Sequence, residues 1–204
     1  MVDWKVGELY LSEQDDVIKA LINKYGHCDL TPLTSEDYFT TLIKGIISQQ
    51  LSQQAAASIY QKVRSYYGSE LLYADKIAAT SAEQLKDLGL SMQKTSYILD
   101  LSQHVADGRI NPDEFTVMSD TEIMNQLLPV KGFGRWTVEM FLIFALNRTN
   151  VWPIDDFGIK KAMNMLYAVD MKAKRTVYNE LAHKWEPWRT LATWYLWKYY
   201  SEHK

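Results

Sequence analysis

Short apolar-periodic runs, most opened by a serine, threonine or aspartate and several closed by glycine, follow one another along the whole chain. That punctuation belongs to helices: an oxygen-bearing side chain caps the first amides and glycine ends the last turn. Ser12 with Asp15 opens a run through Val17, Leu21 and Ile22 that ends near Tyr25-Gly26. Thr34 or Ser35 caps the next, with Phe39, Leu42, Ile43, Ile46 and Ile47 on one face. Ser52 opens a third that reaches Tyr67 before Gly68. Ser81-Ala-Glu-Gln84 reads as a capping box, Ser91 starts a helix closed by Gly108, and Ser119 with Glu122 caps a short one ending near Leu128. Further helices are expected over 135–146, 157–167, 171–184 and 187–202, the last with Pro187 in its first turn. No segment alternates as a strand does, and no repeat or low-complexity stretch interrupts the chain. The expectation is an all-α fold of about ten helices.

Bulk properties narrow the class. With 47% hydrophobic residues over 204 positions, the chain can bury a sizeable core. No apolar run approaches the roughly 20 residues of a membrane span. Met1 to Tyr10 carries two acids, one base and no apolar stretch, so it does not read as a signal peptide. A cytoplasmic, intracellular protein is expected. Cys28 is the single cysteine, which excludes an internal disulfide, a zinc ribbon or a four-cysteine cluster within the chain. His27, His104, His183 and His203 include no pair at metal-ligand spacing, so no catalytic metal and no cofactor are expected.

Net charge is −3, yet its distribution is uneven. Residues 131–175 hold eight bases (Lys131, Arg135, Arg148, Lys160, Lys161, Lys172, Lys174, Arg175) against four acids (Glu139, Asp155, Asp156, Asp170). That segment is +4 and the remainder −7, which permits a local phosphate-facing surface on an acidic protein. An ordinary solvated face is the alternative.

The densest signal is Leu128-Pro-Val-Lys-Gly-Phe-Gly-Arg-Trp-Thr137, between a short helix and a long one. Gly132 and Gly134 permit positive φ and close approach of another backbone. The amides after Gly134 open a helix, where unpaired N–H groups and the dipole favour an anion such as a DNA phosphate. From the two glycines alone, a tight helix–helix turn is the plainer reading. Twenty residues beyond Trp136 (156 − 136), Val151-Trp-Pro-Ile-Asp-Asp-Phe-Gly-Ile-Lys160 places two carboxylates before another helix, where an N-cap is the ordinary task of aspartate.

Together these two stretches resemble the helix-hairpin-helix DNA glycosylase superfamily that carries a Gly/Pro-rich loop and a catalytic aspartate. The chain is most similar to its 3-methyladenine DNA glycosylase II branch. Ile46-Ile-Ser-Gln-Gln-Leu-Ser52 resembles the loop of that branch that wedges an apolar residue into the duplex. Trp185-Glu-Pro-Trp-Arg-Thr-Leu-Ala192 resembles its Trp-x-Pro-Trp-Arg-Ser segment, and Trp197 falls where the branch has a pocket tryptophan.

The resemblance implies a two-lobed helical domain over residues 1–204, one lobe from 35–145 and the other from 1–34 plus 146–204. It implies a monomeric enzyme that flips an alkylated purine out of damaged double-stranded DNA and hydrolyses its N-glycosidic bond. Asp156 would be the catalytic carboxylate, with Asp155 left to cap or brace the loop. Trp136, Trp197 and Met140 would face the base; at Met140 the family pattern often has an aromatic. Leu51 and Gln50 would enter the duplex, an apolar plug offsetting part of the unstacking cost. Lys131, Gly132, Phe133, Gly134, Arg135 and Thr137 would meet the DNA backbone, with Lys160 and Lys161 as further phosphate contacts. The lysine nucleophile of the lyase members is replaced by Trp136, which implies a monofunctional hydrolase. A structural monovalent ion held by hairpin carbonyls around Lys131 to Phe133 is also implied by the family. The competing reading is a non-catalytic helix-hairpin-helix module that binds DNA; such a module needs neither the Asp156 loop nor the tryptophan-rich C-terminal helix. A helical scaffold without a nucleic-acid role, and a glycosylase for oxidised purines, are further alternatives.

Overall fold

Capping residues set most of the element boundaries in the computed structural model, which describes residues 2–31 and 38–204. Twelve α-helices occur among the described residues, with one 3-10 turn at Pro112–Glu114 and no strand. They are α1 (Trp4–Gln14), α2 (Asp16–Tyr25), α3 (Tyr38–Ser48), α4 (Gln53–Tyr67), α5 (Ala74–Ala78), α6 (Ala82–Asp87), α7 (Met92–Ala106), α8 (Asp120–Leu127), α9 (Arg135–Phe144), α10 (Phe157–Tyr167), α11 (Arg175–His183) and α12 (Arg189–His203). Ser52, Ser91 and Asp156 each accept the amide three residues on, at the starts of α4, α7 and α10. Ser81 with Gln84 and Ser119 with Glu122 form complete capping boxes on α6 and α8.

Several boundaries differ from the sequence reading. A helix, α1, precedes the first one expected, and Ser12 lies inside it with its hydroxyl on the Glu8 carbonyl. Asp15 alone caps α2, accepting from Val17 and Ile18. α5 carries no side-chain cap, so nothing local announces it. α9 ends at Phe144, before the expected 146. α11 begins at Arg175 rather than 171, because the Asp170 side chain takes the Lys172 amide and holds the chain in a turn. Pro187 lies ahead of α12, whose early amide at Thr190 bonds the Thr149 carbonyl instead of closing a helical turn. The caps expected at Thr34 or Ser35 lie outside the described residues.

The chain forms two compact units, Met1–Pro32 with Leu142–Lys204, and Leu33–Phe141. The division falls inside α9, after Phe141.

In the first unit α12 is the central helix. Every residue from Thr190 to Leu196 is buried, and α1, α2 and α10 pack on it. A helix apolar on all sides must be covered on all sides. Leu11, Ile18, Ile159, Met163, Tyr178, Trp185, Tyr195 and Leu196 share this core, and each such side chain contributes about 2 kcal/mol by leaving water. The buried Glu8 carboxylate is paired inside this core, accepting from the Tyr195 hydroxyl (2.9 Å) and the Cys28 amide (2.8 Å). Cys28 packs half-buried against this core, and burial pushes its thiol up to about 12.

In the second unit Tyr38, Phe115 and Phe141 meet as a trio of rings with centroids 5.5–6.3 Å apart. Leu42, Ile43, Ile46 and Ile47 of α3 are buried, as are Ile98 and Leu101 of α7, and α3 packs on α7. This core seats the loop that follows α3 and the hairpin that precedes α9.

Candidate active site and nucleic-acid interface

Asp156 sits at the end of a loop whose preceding residues, Val151 to Ile154, are all buried. Its amide bonds the Pro153 carbonyl at 2.9 Å, closing a turn that turns the side chain toward the start of α10. Two donors converge on Oδ1: the Ile159 amide at 2.9 Å and the Trp197 indole Nε1 at 2.9 Å. The carboxylate is half-buried and its plane is held from two directions. Gly158 makes this possible, since a Cβ there would lie 3.2 Å from Asp156 Oδ1 and 3.0 Å from the Tyr200 ring.

Trp197 comes from α12, and Phe144 stacks on it with ring centroids 5.6 Å apart and planes 18° from parallel. Phe144 and Phe157 are both well exposed. Phe157 meets Tyr200 edge-on and carries the Lys161 ammonium over its face. An exposed aromatic surface therefore flanks the carboxylate.

The cap expected of Asp155 falls instead on Asp156, whose backbone is extended and whose side chain accepts the Ile159 amide. Asp155 braces: its carboxylate pairs with Arg175 at 2.7 Å and Lys160 at 3.7 Å. Of the phosphate-contact candidates, Lys160 is thus tied to Asp155, Lys161 to the Phe157 ring, and Arg135 to Glu139 at 2.8 Å.

Upstream of Asp156 the loop is gripped by two residues to which sequence reasoning assigned no role. The buried Thr190 hydroxyl donates to the Arg148 carbonyl (2.5 Å) and accepts the Val151 amide (2.9 Å). Arg189 donates to the Asn150 side chain (2.9 Å) and its carbonyl (3.3 Å). Both lie in the Trp-Glu-Pro-Trp-Arg-Thr segment, so the motif was visible while its target was not.

The second unit holds the remaining site residues. At Gly132 φ is +82°, and a Cβ would strike the Tyr97 ring at 2.1 Å, so a side chain is barred there twice over. The close neighbour is that ring rather than a backbone. Gly134 has neither positive φ nor a near neighbour; open space surrounds its Cβ position. Its carbonyl accepts the Val138 amide, the first helical bond of α9, so the amides of Arg135, Trp136 and Thr137 precede the ladder. Phe133 is buried, which limits it to backbone contact with any ligand. The Lys131 amide and ammonium both engage Asp100, at 2.9 and 3.5 Å. Trp136 is about half exposed, with Thr137 and Met140 half-buried on the same helix.

The loop after α3 is tied to the hairpin. Gln49 Nε2 donates to the Gly132 carbonyl at 3.2 Å, and Lys94 Nζ donates to the Ile47 carbonyl at 2.6 Å, capping the end of α3. Burial pulls the Lys94 ammonium below its ordinary value. Gln50 takes a left-handed conformation (φ +56°), and Leu51 is 39% exposed rather than buried at the helix junction. Leu51 is therefore not a buried helix-junction residue.

Among the described residues no three His, Cys, Asp or Glu side chains gather as metal ligands, and no helix is long and apolar enough to cross a membrane.

Residues 43–187 match the family described as HhH-GPD superfamily base excision DNA repair protein. The alkylbase DNA glycosidase-like protein mag2 of Schizosaccharomyces pombe is 32% identical over 99% of this chain and 96% of its own length. The crystal structure of a DNA-3-methyladenine glycosidase from Bacillus halodurans superposes with a TM-score of 0.85 at 30% identity, covering 95% of this chain and 88% of that one. The S. pombe 3-methyladenine DNA glycosylase Mag1, solved in complex with abasic DNA, superposes with a TM-score of 0.75 at 31% identity, covering 94% and 95%.

Proposed function

We infer, from the premise that this chain belongs to the HhH-GPD superfamily of base excision DNA repair proteins, that it is a monofunctional DNA glycosylase releasing alkylated, 3-methyladenine-type purines from damaged duplex DNA. The observation that carries the reading is the carboxylate of Asp156, oriented by the Ile159 amide and the Trp197 indole beside an exposed aromatic surface.

The chemistry follows from charge. Breaking an N-glycosidic bond leaves positive charge on the sugar, and the bonding pair departs with the base. An alkylated purine already bears a positive charge, so it leaves neutral without a general acid. What the site must supply is a fixed negative charge near C1′ and a way to place or deprotonate the water that adds there. The Ile159 amide and the Trp197 indole are neutral donors, so those two bonds orient the Asp156 carboxylate without cancelling its charge.

Trp136, Met140 and Trp197 are the residues proposed to contact the flipped base, the tryptophans through cation–π attraction to its charge. Leu51 and Gln50 fill the vacated space in the stack, and the amides that open α9 take a phosphate. Lys131, Gly132, Phe133, Gly134, Arg135 and Thr137 border that phosphate, Phe133 through its backbone. A monovalent ion at the hairpin would rest on carbonyls of residues 131–133. Gln49 already occupies one lone pair of the Gly132 oxygen, and the second lone pair is compatible with such an ion. No lysine replaces Trp136 as a Schiff-base nucleophile: Lys131 is paired with Asp100 and Lys94 caps α3. The enzyme acts as a monomer.

Base release from methylated duplex DNA tests the reading. The expected products are free methylated purines and an intact strand bearing abasic sites, with no covalent adduct trapped by borohydride. DNA binding without release would make the chain a binding protein of the same family, and a trapped adduct would contradict the hydrolase.

A further inference from the structure

We propose that α12 is a two-point clamp on the loop carrying Asp156, with Thr190 a positioning residue that acts on the carboxylate from the far end of that loop. The proposal rests on the reading of Asp156 as the catalytic group.

One end of the clamp is Trp197, whose Nε1 holds Asp156 Oδ1 at 2.9 Å. The other end is Thr190. Seven residues separate them (197 − 190), close to two helical turns, so both side chains leave the same face about 10 Å apart along the axis. Thr190 touches the loop three times: its hydroxyl donates to the Arg148 carbonyl and accepts the Val151 amide, and its own amide donates to the Thr149 carbonyl at 3.0 Å. Arg189 adds the two bonds to Asn150. Residues 148 to 151 are therefore each held by one of two adjacent residues.

Between the two ends the loop has little slack. Trp152 packs edge-on against the fully buried Trp185, with centroids 5.5 Å apart. The Ile154 amide bonds the Trp152 carbonyl, and the Asp156 amide bonds the Pro153 carbonyl, both at 2.9 Å. A shift at Val151 has no flexible segment in which to dissipate before Asp156. Misplacing a reacting group by about 1 Å costs up to about 100-fold in rate, so the grip at Thr190 bears directly on turnover.

Thr190 is fully buried, and its hydroxyl must donate and accept at once. Serine can do the same; valine, its near-isostere, can do neither. Asn150 is only half-buried, so truncating it weakens the same grip without stranding a buried hydroxyl partner.

The test measures single-turnover base release from methylated duplex at saturating enzyme, and affinity for duplex containing an abasic site, at a temperature where each variant is folded. Thr190→Val is expected to lower the release rate about 10- to 100-fold while changing affinity by less than about 3-fold. Thr190→Ser restores most of the rate. Trp197→Phe reproduces the loss from the other end, and Asn150→Ala lowers the rate about 3-fold, the worth of one modest hydrogen bond. If Thr190→Val fails to fold, Asn150→Ala still decides the matter, an unchanged rate overturning the clamp. A lowered melting temperature with an unchanged rate per folded molecule would make Thr190 merely structural, as would failure of serine to rescue, and either overturns the clamp. No release by the wild-type protein would instead remove the reaction, and the clamp with it.

Discussion

Asp15 and Asp156 are built from the same parts. Each caps a helix, each lies in the first unit, and each accepts a tryptophan N–H at 2.8 or 2.9 Å. Around Asp15 both oxygens are engaged: Oδ1 takes the Val17 and Ile18 amides, and Oδ2 takes Trp185, Tyr167 and Lys184. The carboxylate is buried and compensated by a cation. Burial raises its protonation tendency, but the bonds from Trp185, Tyr167 and Lys184 win, and the carboxyl stays below its ordinary value. Asp156 is half-buried, and two neutral donors, the Ile159 amide and the Trp197 indole, meet on its Oδ1. A capping aspartate is thus no site in itself. On the proposed reading the same cap is a structural anchor at Asp15, where a cation is among its partners, and the reagent at Asp156.

The contrast can be broken in order of expected effect. Asp15→Ala leaves a buried indole, a phenol and two amides without their acceptor and an exposed lysine without its partner, and should cost about 3–5 kcal/mol of stability. That is a fall of roughly 10 °C in melting temperature for a chain of this size, with base release per folded molecule unchanged. Loss of activity at full stability in this variant would erase the distinction.

Acid should act on the same carboxyl. A group held below its unfolded value contributes stability that is complete above that value, 3.8, and is lost as pH falls through its lower folded value. The melting-temperature gap between wild type and Asp15→Asn should therefore be constant above about pH 5 and narrow below pH 4. A gap that widens in acid would contradict the assignment.

The smallest effect on stability is expected at Gly158→Ala. Alanine suits a helix better than glycine by about 1 kcal/mol, which offsets crowding against Tyr200. The new methyl also presses on Asp156 Oδ1, so base release should fall several-fold while the melting temperature moves by less than about 3 °C. An unaffected rate would mean that the carboxylate tolerates displacement.

What the sequence made legible was local. Serine caps at 52, 81, 91 and 119 act on amides two or three residues away, so their helices were readable from short windows. The hairpin and the Asp156 loop were legible through the family resemblance, because their local residues alone read more plainly as a tight turn and an N-cap. That Gly134 lacks a positive φ and that the Phe133 ring is buried were not legible, since whether a glycine is needed or a ring is buried depends on what packs there. Ser12 was taken for a cap because Asp15 follows it, although an unannounced helix already contains it. The bonds joining Asp15 to Trp185, Thr190 to Arg148 and Trp197 to Asp156 span 170, 42 and 41 positions. Periodicity has no access to contacts of that range; only the fold creates them.

The central claim is that Asp156 supplies the charge that removes the base. Asp156→Asn tests it directly, because asparagine still caps a helix and still accepts from Trp197. Release of methylated purines and affinity for abasic duplex would be measured for both proteins, beside their melting curves. The account predicts unchanged binding, a melting temperature near that of the wild type, and release lowered at least about 100-fold. Equal release by the two proteins would contradict it and take Asp156 out of the reaction.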